Sequence, residues 1–246
     1  INSDGSESVK SVSLKEKLIY ASGQLPGTFY GSFMGQIQAF YYGWMGLAYK
    51  WIFITQIVYA VWNAVNDPIF GVLQDRTDTK QGRYIPWIKW VSPFFTIAFM
   101  AVFLPPQQWR FKTGGEQYQV MLAMWYLFSQ ILYDTGFTIV FLAHVALAPQ
   151  MTMDEMERRE IQIYCSIMGI IGIASSSAIP LIFLTNPNAT KIQAFQIAVI
   201  VFAVVGLVPW FLIVKHVKEK PEFIPPKENQ VSFLENVKYV FKNPSG

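Results

Sequence analysis

Long apolar runs, interrupted by short charged clusters, set the plan of this chain. Lys17 and Lys50 bracket 32 positions without a charge, more than the ~20 residues a helix needs to cross hydrocarbon. The excess predicts a bent or tilted first helix, with Gly23, Pro26, Gly27 and Gly31 permitting the bend. A second run covers about Trp51 to Leu73 and a third about Tyr84 to Leu104, stopped by Pro105 and Pro106, which cannot continue the hydrogen-bond ladder. A polar loop from Gln107 to Gln117 leads to a fourth span, about Tyr118 to Leu147. The charged stretch Met151 to Glu160 precedes a fifth, about Ile161 to Leu184. That span holds Gly169, Gly172 and Ser175 to Ser177, small residues that let helix backbones approach closely in lipid, and Pro180, which bends it. The sixth span, about Ile192 to Val214, has no charge. Val231 to Phe241 is too short to cross and amphipathic, so it is expected on the membrane surface.

Composition agrees with that pattern. Apolar residues make up 52% of the chain, aromatic residues 16%, and only 14% are charged, which excludes an ordinary soluble domain. The expected fold class is an all-α membrane protein with six transmembrane helices. Residues 1–16 are read as a cytoplasmic tail, 17–217 as the transmembrane domain and 218–246 as the start of a cytoplasmic central loop. Basic residues fix the orientation: 15 of the 19 Lys and Arg fall on one side if the amino terminus is inside. The positive-inside rule then gives a multi-pass protein of the cell membrane with a cytoplasmic amino terminus. Trp44, Trp51 and Trp109 fall at the outer rim and Trp87, Trp90 and Trp210 toward the inner one, as aromatic belts do.

Candidate chemistry lies in the few polar groups inside the spans. Asp67 and Asp134 are intramembrane acids, costly in lipid and therefore markers of an ion or substrate path. Asn63 and Asp67 are four apart, as are Asp134 and Thr138, so each pair stacks on one helix face. If the second and fourth helices are neighbours in register, Asn63 lies level with Asp134 and Asp67 with Thr138. Such an oxygen cluster suits Na⁺, while H⁺ needs only a carboxylate. Gln24, Thr28 and Gly31 share a face of the first helix that can line a cavity. One cysteine and two distant histidines leave no disulfide and no metal cluster, and no nucleophile–base pair suggests an enzyme. His144, among Phe, Leu and Ala, reads as a packed residue, and Cys165 as a small packing residue. Asn188-Ala-Thr190 fits a glycosylation acceptor. No cofactor or nucleic-acid partner is indicated.

The segment Asn66-Asp67-Pro68, then Gly71, Asp75, Arg76, Thr77, Gly82, Arg83, Pro86 and Trp87, resembles the signature of the glycoside–pentoside–hexuronide:cation symporters. That family includes melibiose permease and belongs to the major facilitator superfamily. The stretch Ala146 to Arg158, with Pro149, Thr152, Asp154 and Glu157, looks like a second family segment. The resemblance implies the amino-terminal half of a transporter, with a carboxyl-terminal half or a second half-transporter as partner and the lipid bilayer as surroundings. In the resembled permease the cation site comprises two Asp four apart, the Asn before the second, and a Thr of the fourth helix. Asn66, Asp67 and Thr138 match; Asn63 stands where the pattern has Asp, and Asp134 is expected to supply the missing charge.

The family's charged sugar-binding groups fall at Thr28, Phe141 and Ser166 (or Cys165), none of them charged. Their loss removes the bidentate hydrogen bonding that polyhydroxylated ligands require. The expected solute face therefore comprises Gln24, Thr28, Tyr30, Phe33, Phe137, Phe141 and Ser166, aromatic rather than ionic. The implied activity is symport of a small organic solute, a glycoside or related compound, with Na⁺ or H⁺ by alternating access. The same signature resembles the sodium-dependent lysophospholipid symporters, which keeps an amphiphile open, and a non-transporting membrane subunit is the rival from another class. Asp75, Arg76, Arg83, Asp154 and Arg158 are read as gating residues, with Asp75 expected to form an ion-pair latch with Arg158 or Arg83.

Overall fold

The protein is described here by a computed structural model covering residues 11–109, 115–183 and 189–219. Among the described residues seven α-helices follow one another: α1 Leu14–Ser22, α2 Gln24–Trp44, α3 Tyr49–Asp75, α4 Ile85–Phe103, α5 Glu116–Met151, α6 Glu155–Phe183 and α7 Ala189–His216. The predicted amphipathic segment from Val231 to Phe241 and the Asn188 acceptor lie outside the described residues.

The uncharged first stretch is two helices. Ser13 starts α1 with a capping box, its hydroxyl accepting from the Glu16 N–H while the Glu16 carboxylate accepts from the Ser13 N–H. Gly23 separates α1 from α2. A Cβ there would meet Ile213 Cδ1 at 2.5 Å and His144 Nε2 at 2.9 Å, so the chain turns where no side chain fits. The charged run from Met151 is shorter as a loop than its composition suggests, because α6 already begins at Glu155. Asp154 caps that start, its Oδ1 accepting from the backbone N–H of Met156 at 2.7 Å.

Proline inside a helix removes one donor and bends the axis, and α3, α4, α5, α6 and α7 each contain one: Pro68, Pro93, Pro149, Pro180 and Pro209. Pro105 and Pro106 do end α4, and its last carbonyls find side-chain donors. Tyr41 donates to the Phe103 oxygen and Tyr42 to the Val102 oxygen, both at 2.7 Å, and Gln196 adds a bond to Phe103.

Among the described residues four helices are long and apolar enough to cross a membrane: α4, α5, α6 and α7. The expected count of six is therefore not reached on that measure. Glutamines, Thr28, Asn63, Asn66 and Asp67 dilute α2 and α3. Packing nonetheless makes them part of one bundle, α2 lying on α6, α3 on α5, and α4 between α5 and α7. Small residues set the closest approaches. At Gly172 the space of a Cβ is filled by Thr28 Oγ1 and the Leu25 carbonyl, and at Gly136 by Phe95. A buried aromatic cluster of Phe29, Tyr30, Phe33, Phe95, Phe99, Phe103 and Phe195 fills the middle of α2, α4 and α7. By contrast α3 buries only Ile52, Thr55, Asn66 and Gln74.

Candidate functional site

The two acids Asp67 and Asp134 meet in the seam between α3 and α5. Thr138 donates its hydroxyl to Asp67 Oδ1 at 2.9 Å. Asn66 Nδ2 donates to Thr138 Oγ1 at 3.0 Å and to Asp134 Oδ2 at 2.9 Å. Tyr59 completes the row by donating to Asp134 Oδ1, also at 2.9 Å. Asn66, Asp134 and Thr138 are each 5% exposed or less, whereas Asp67 is open on the free face of α3. One carboxylate is thus sealed among neutral donors and the other is accessible. No basic residue pairs with either among the described residues.

Axial spacing predicts Asn63 opposite Asp134, and here the structure differs. Asn63 is exposed and outside the network; Tyr59 and Asn66 hold Asp134 instead. The spacing gives the height of a residue along α3 but not which neighbour its face meets. Tyr59 was missed by sequence reasoning, although its i, i+7 relation to Asn66 puts both on one stripe. Further from the acids, Gln56 Nε2 donates to the Tyr126 hydroxyl and approaches Gln130 Oε1 at 3.4 Å.

The residues expected to face a solute divide into two groups. Phe137 and Phe141 stack with ring centroids 5.2 Å apart and cover Gly31 and Gly27 of α2. Thr28 lies beside them, its hydroxyl donating to the Gln24 carbonyl at 2.9 Å with the Gly169 oxygen of α6 at 3.1 Å. Gln24 is half-buried, and Ser166 is exposed with its hydroxyl bonded to the Gln162 oxygen. Tyr30 and Phe33 do not line a cavity. Both are fully buried, and Tyr30 donates to the Ala203 oxygen of α7 at 2.9 Å. Aromatic side chains alone do not separate a lining from a core. His144 is packed as expected, stacked on Tyr20 at 4.4 Å with Nε2 2.9 Å from the Tyr20 oxygen.

The charged end is tied together differently from the expected latch. Asp75 accepts from the Tyr84 hydroxyl at 2.9 Å rather than from an arginine. Arg158 donates through Nε to the Thr152 oxygen at 2.9 Å, Arg76 is exposed, and Asp154 serves as the α6 cap. Two contacts absent from the sequence reading do the fastening. Glu157 accepts from the Val12 N–H at 2.9 Å and, with Glu160, binds Lys17 at 3.5 and 2.7 Å, joining α1 to α6. Glu219, just beyond α7, accepts the backbone N–H groups of Arg83, Tyr84 and Ile85 at 2.6, 2.7 and 2.8 Å.

Four helices fit to cross a membrane, in a bundle where two acids are linked through Thr138 and Asn66, define a multi-pass membrane protein of the transporter class. The sequence pattern of the MFS/sugar transport protein family matches residues 19–245, and the chain belongs to that family. Its likeness to the glycoside–pentoside–hexuronide:cation symporters is in keeping with several of its relatives, which are named as glycoside, isoprimeverose or inner-membrane transporters. It is 28% identical to the sodium-dependent lysophosphatidylcholine symporter 1 of Gallus gallus over 177 residues, 70% of this chain and 31% of that protein. It is 25% identical over 215 residues to the putative glycoside/cation symporter YagG of Escherichia coli, covering 86% of this chain and 45% of the relative. The isoprimeverose transporter of Lactiplantibacillus pentosus is 22% identical over 70% of the chain and 35% of its own length. The chain thus spans about a third to a half of these relatives.

Proposed function

We propose that the full protein is a secondary active transporter that couples entry of a small organic solute to a cation, Na⁺ or H⁺, by alternating access. The observation that carries this reading is the row Asp67–Thr138–Asn66–Asp134, two acids joined by neutral oxygen and amide groups in a membrane bundle of a transporter family. Asp67 is the ion's accessible ligand, Asn66 and Thr138 complete its shell, and Asp134 supplies the charge absent at Asn63. In this reading α2 and α3 also span the membrane, giving six spans with a cytoplasmic amino terminus. Residues 17–217 then form half of the transporter, residues 218–246 begin its central loop, and a second half closes the solute cavity.

The solute meets Gln24, Thr28, Phe137 and Phe141. Uncharged groups at Thr28, Phe141 and Ser166 favour a solute that stacks and partitions over one held by ionic hydrogen bonds. That observation supports a lysolipid-like amphiphile as a second reading beside a weakly polar glycoside. Uptake of a labelled glycoside and of a labelled lysolipid, each with and without Na⁺ and proton gradients, decides between them. Accumulation of neither solute under any cation gradient would overturn the symport reading.

A further inference from the structure

Asp134 stands at the middle of a polar stripe much longer than an ion site requires. On α5, Tyr126, Gln130, Asp134 and Thr138 recur every four residues, a row about 18 Å long at helical rise. Opposite them on α3 lie Gln56, Tyr59 and Asn66, and the two rows meet through the bonds from Gln56 to Tyr126 and from Tyr59 to Asp134. Neutral polar groups facing each other in this way hold two helices together, and an acid at the centre of such a row marks an ion or proton path. A second feature points the same way. Two polar atoms along this seam, Asn66 Oδ1 and Gln130 Nε2, have no hydrogen-bond partner among the described residues, although their side chains are each 1% exposed. Buried groups left in that state are ready for water or an ion. The aromatic pair Phe137–Phe141 covers α2 instead, so the seam is separate from the expected solute face.

We propose that the half of the α3–α5 seam remote from the charged end, lined by Gln56, Tyr59, Tyr126 and Gln130, is a hydrated access path. Through it a small monovalent cation reaches Asp134 without crossing the solute cavity. This rests on the symport reading and adds a route to it. Gln56 and Gln130 are the narrow point, and Tyr59 hands the ion to the carboxylate it now hydrogen-bonds.

The test is uptake by the full protein carrying Gln56→Leu or Gln130→Leu, measured against external Na⁺ and against external pH. The path requires the half-maximal cation concentration to rise about tenfold or more, the size of loss seen when a metal site's outer partners are removed, with the half-maximal solute concentration unchanged. An unchanged cation requirement, or equal shifts for cation and solute, would overturn it. If the leucine variants do not reach the membrane, Gln56→Cys in a Cys165→Ala background places a small reactive thiol in the seam instead of a bulky apolar group. Alkylation from outside that the cation slows supports the path, and absent or cation-indifferent alkylation refutes it. Wild-type uptake indifferent to every cation sinks the symport reading and the path together. A cation-dependent wild type with indifferent variants sinks the path alone.

Discussion

The carboxylate of Glu219 occupies the space that a side chain at Gly82 would need, its Oε1 2.5 Å from the position of a Cβ there. Gly82 has φ +108°, a conformation L side chains rarely adopt, and it turns the chain so that three successive N–H groups face that carboxylate. The segment after α7 is thereby fastened to the α3–α4 loop across some 135 residues of sequence.

Gly82→Ala is expected to destabilise the protein by about 1–3 kcal/mol, combining left-handed backbone strain with displacement of Glu219. Glu219→Gln keeps the shape but removes the anion from a helix start, costing about 0.3–1 kcal/mol. Thermal unfolding in detergent should rank wild type, then Glu219→Gln, then Gly82→Ala. An unchanged melting temperature in Gly82→Ala would refute the contact.

Two glycines give an internal comparison. At Gly172 a methyl group would strike Thr28 Oγ1 and the Leu25 carbonyl oxygen, whereas at Gly35 nothing lies within 4 Å. Gly172→Ala is expected to cost about 1–3 kcal/mol through forced separation of α2 from α6. Gly35→Ala should be neutral or slightly stabilising. Equal melting temperatures for the two variants would contradict the close α2–α6 approach.

Lys17 is 7% exposed and lies between Glu157 and Glu160. Lys17→Met preserves the aliphatic stem and removes the charge. With Glu160 more than half exposed, solvent screening keeps the loss to about 1 kcal/mol. The sharper readout is proteolysis: cleavage at the amino-terminal segment near Val12 should accelerate, because Glu157, which holds its N–H, loses a neighbour. Unaltered cleavage would count against the fastening.

Replacing Asp134 separates packing from ion binding. Asp134→Asn keeps one of the two acceptor oxygens, enough for Tyr59 or Asn66 but not both, and should fold, while its loss of charge weakens cation dependence of uptake. Asp134→Ala leaves the Tyr59 hydroxyl and the Asn66 amide without their acceptor, at about 1–3 kcal/mol for the stranded groups. Cation dependence identical to wild type in Asp134→Asn would remove the carboxylate from the ion's shell.

The long helices were legible because apolar runs follow a coarse rule. Predicted runs end within a few residues of α3, α4 and α7, and Pro105 stops α4 where it must. The break at Gly23 was harder to place, since four candidate residues permit a bend and only packing against Ile213 and His144 selects one. Asp67 with Thr138 follows from height along two helices, but Tyr59 with Asp134 depends on rotation about the helix axis, which periodicity leaves open until the neighbour is known. Glu219 carries no local signal at all. Its partners are main-chain groups, indifferent to side-chain identity except at Gly82.

A hydroxyl has a single hydrogen to give, and Thr138 gives its own to Asp67 while taking one from Asn66. The amide of Asn66 in turn spends both of its hydrogens, one on Thr138 and one on Asp134. The row therefore has a source, the Asn66 amide, from which hydrogens point outward toward both acids. If the cation of the proposed symport passes on to Asp67 Oδ1, it competes with the Thr138 hydrogen already there, and the hydroxyl has to swing aside. That swing takes a donor from one acid and alters the oxygen on which the Asn66 amide leans, so what arrives at the open carboxylate is felt at the sealed one.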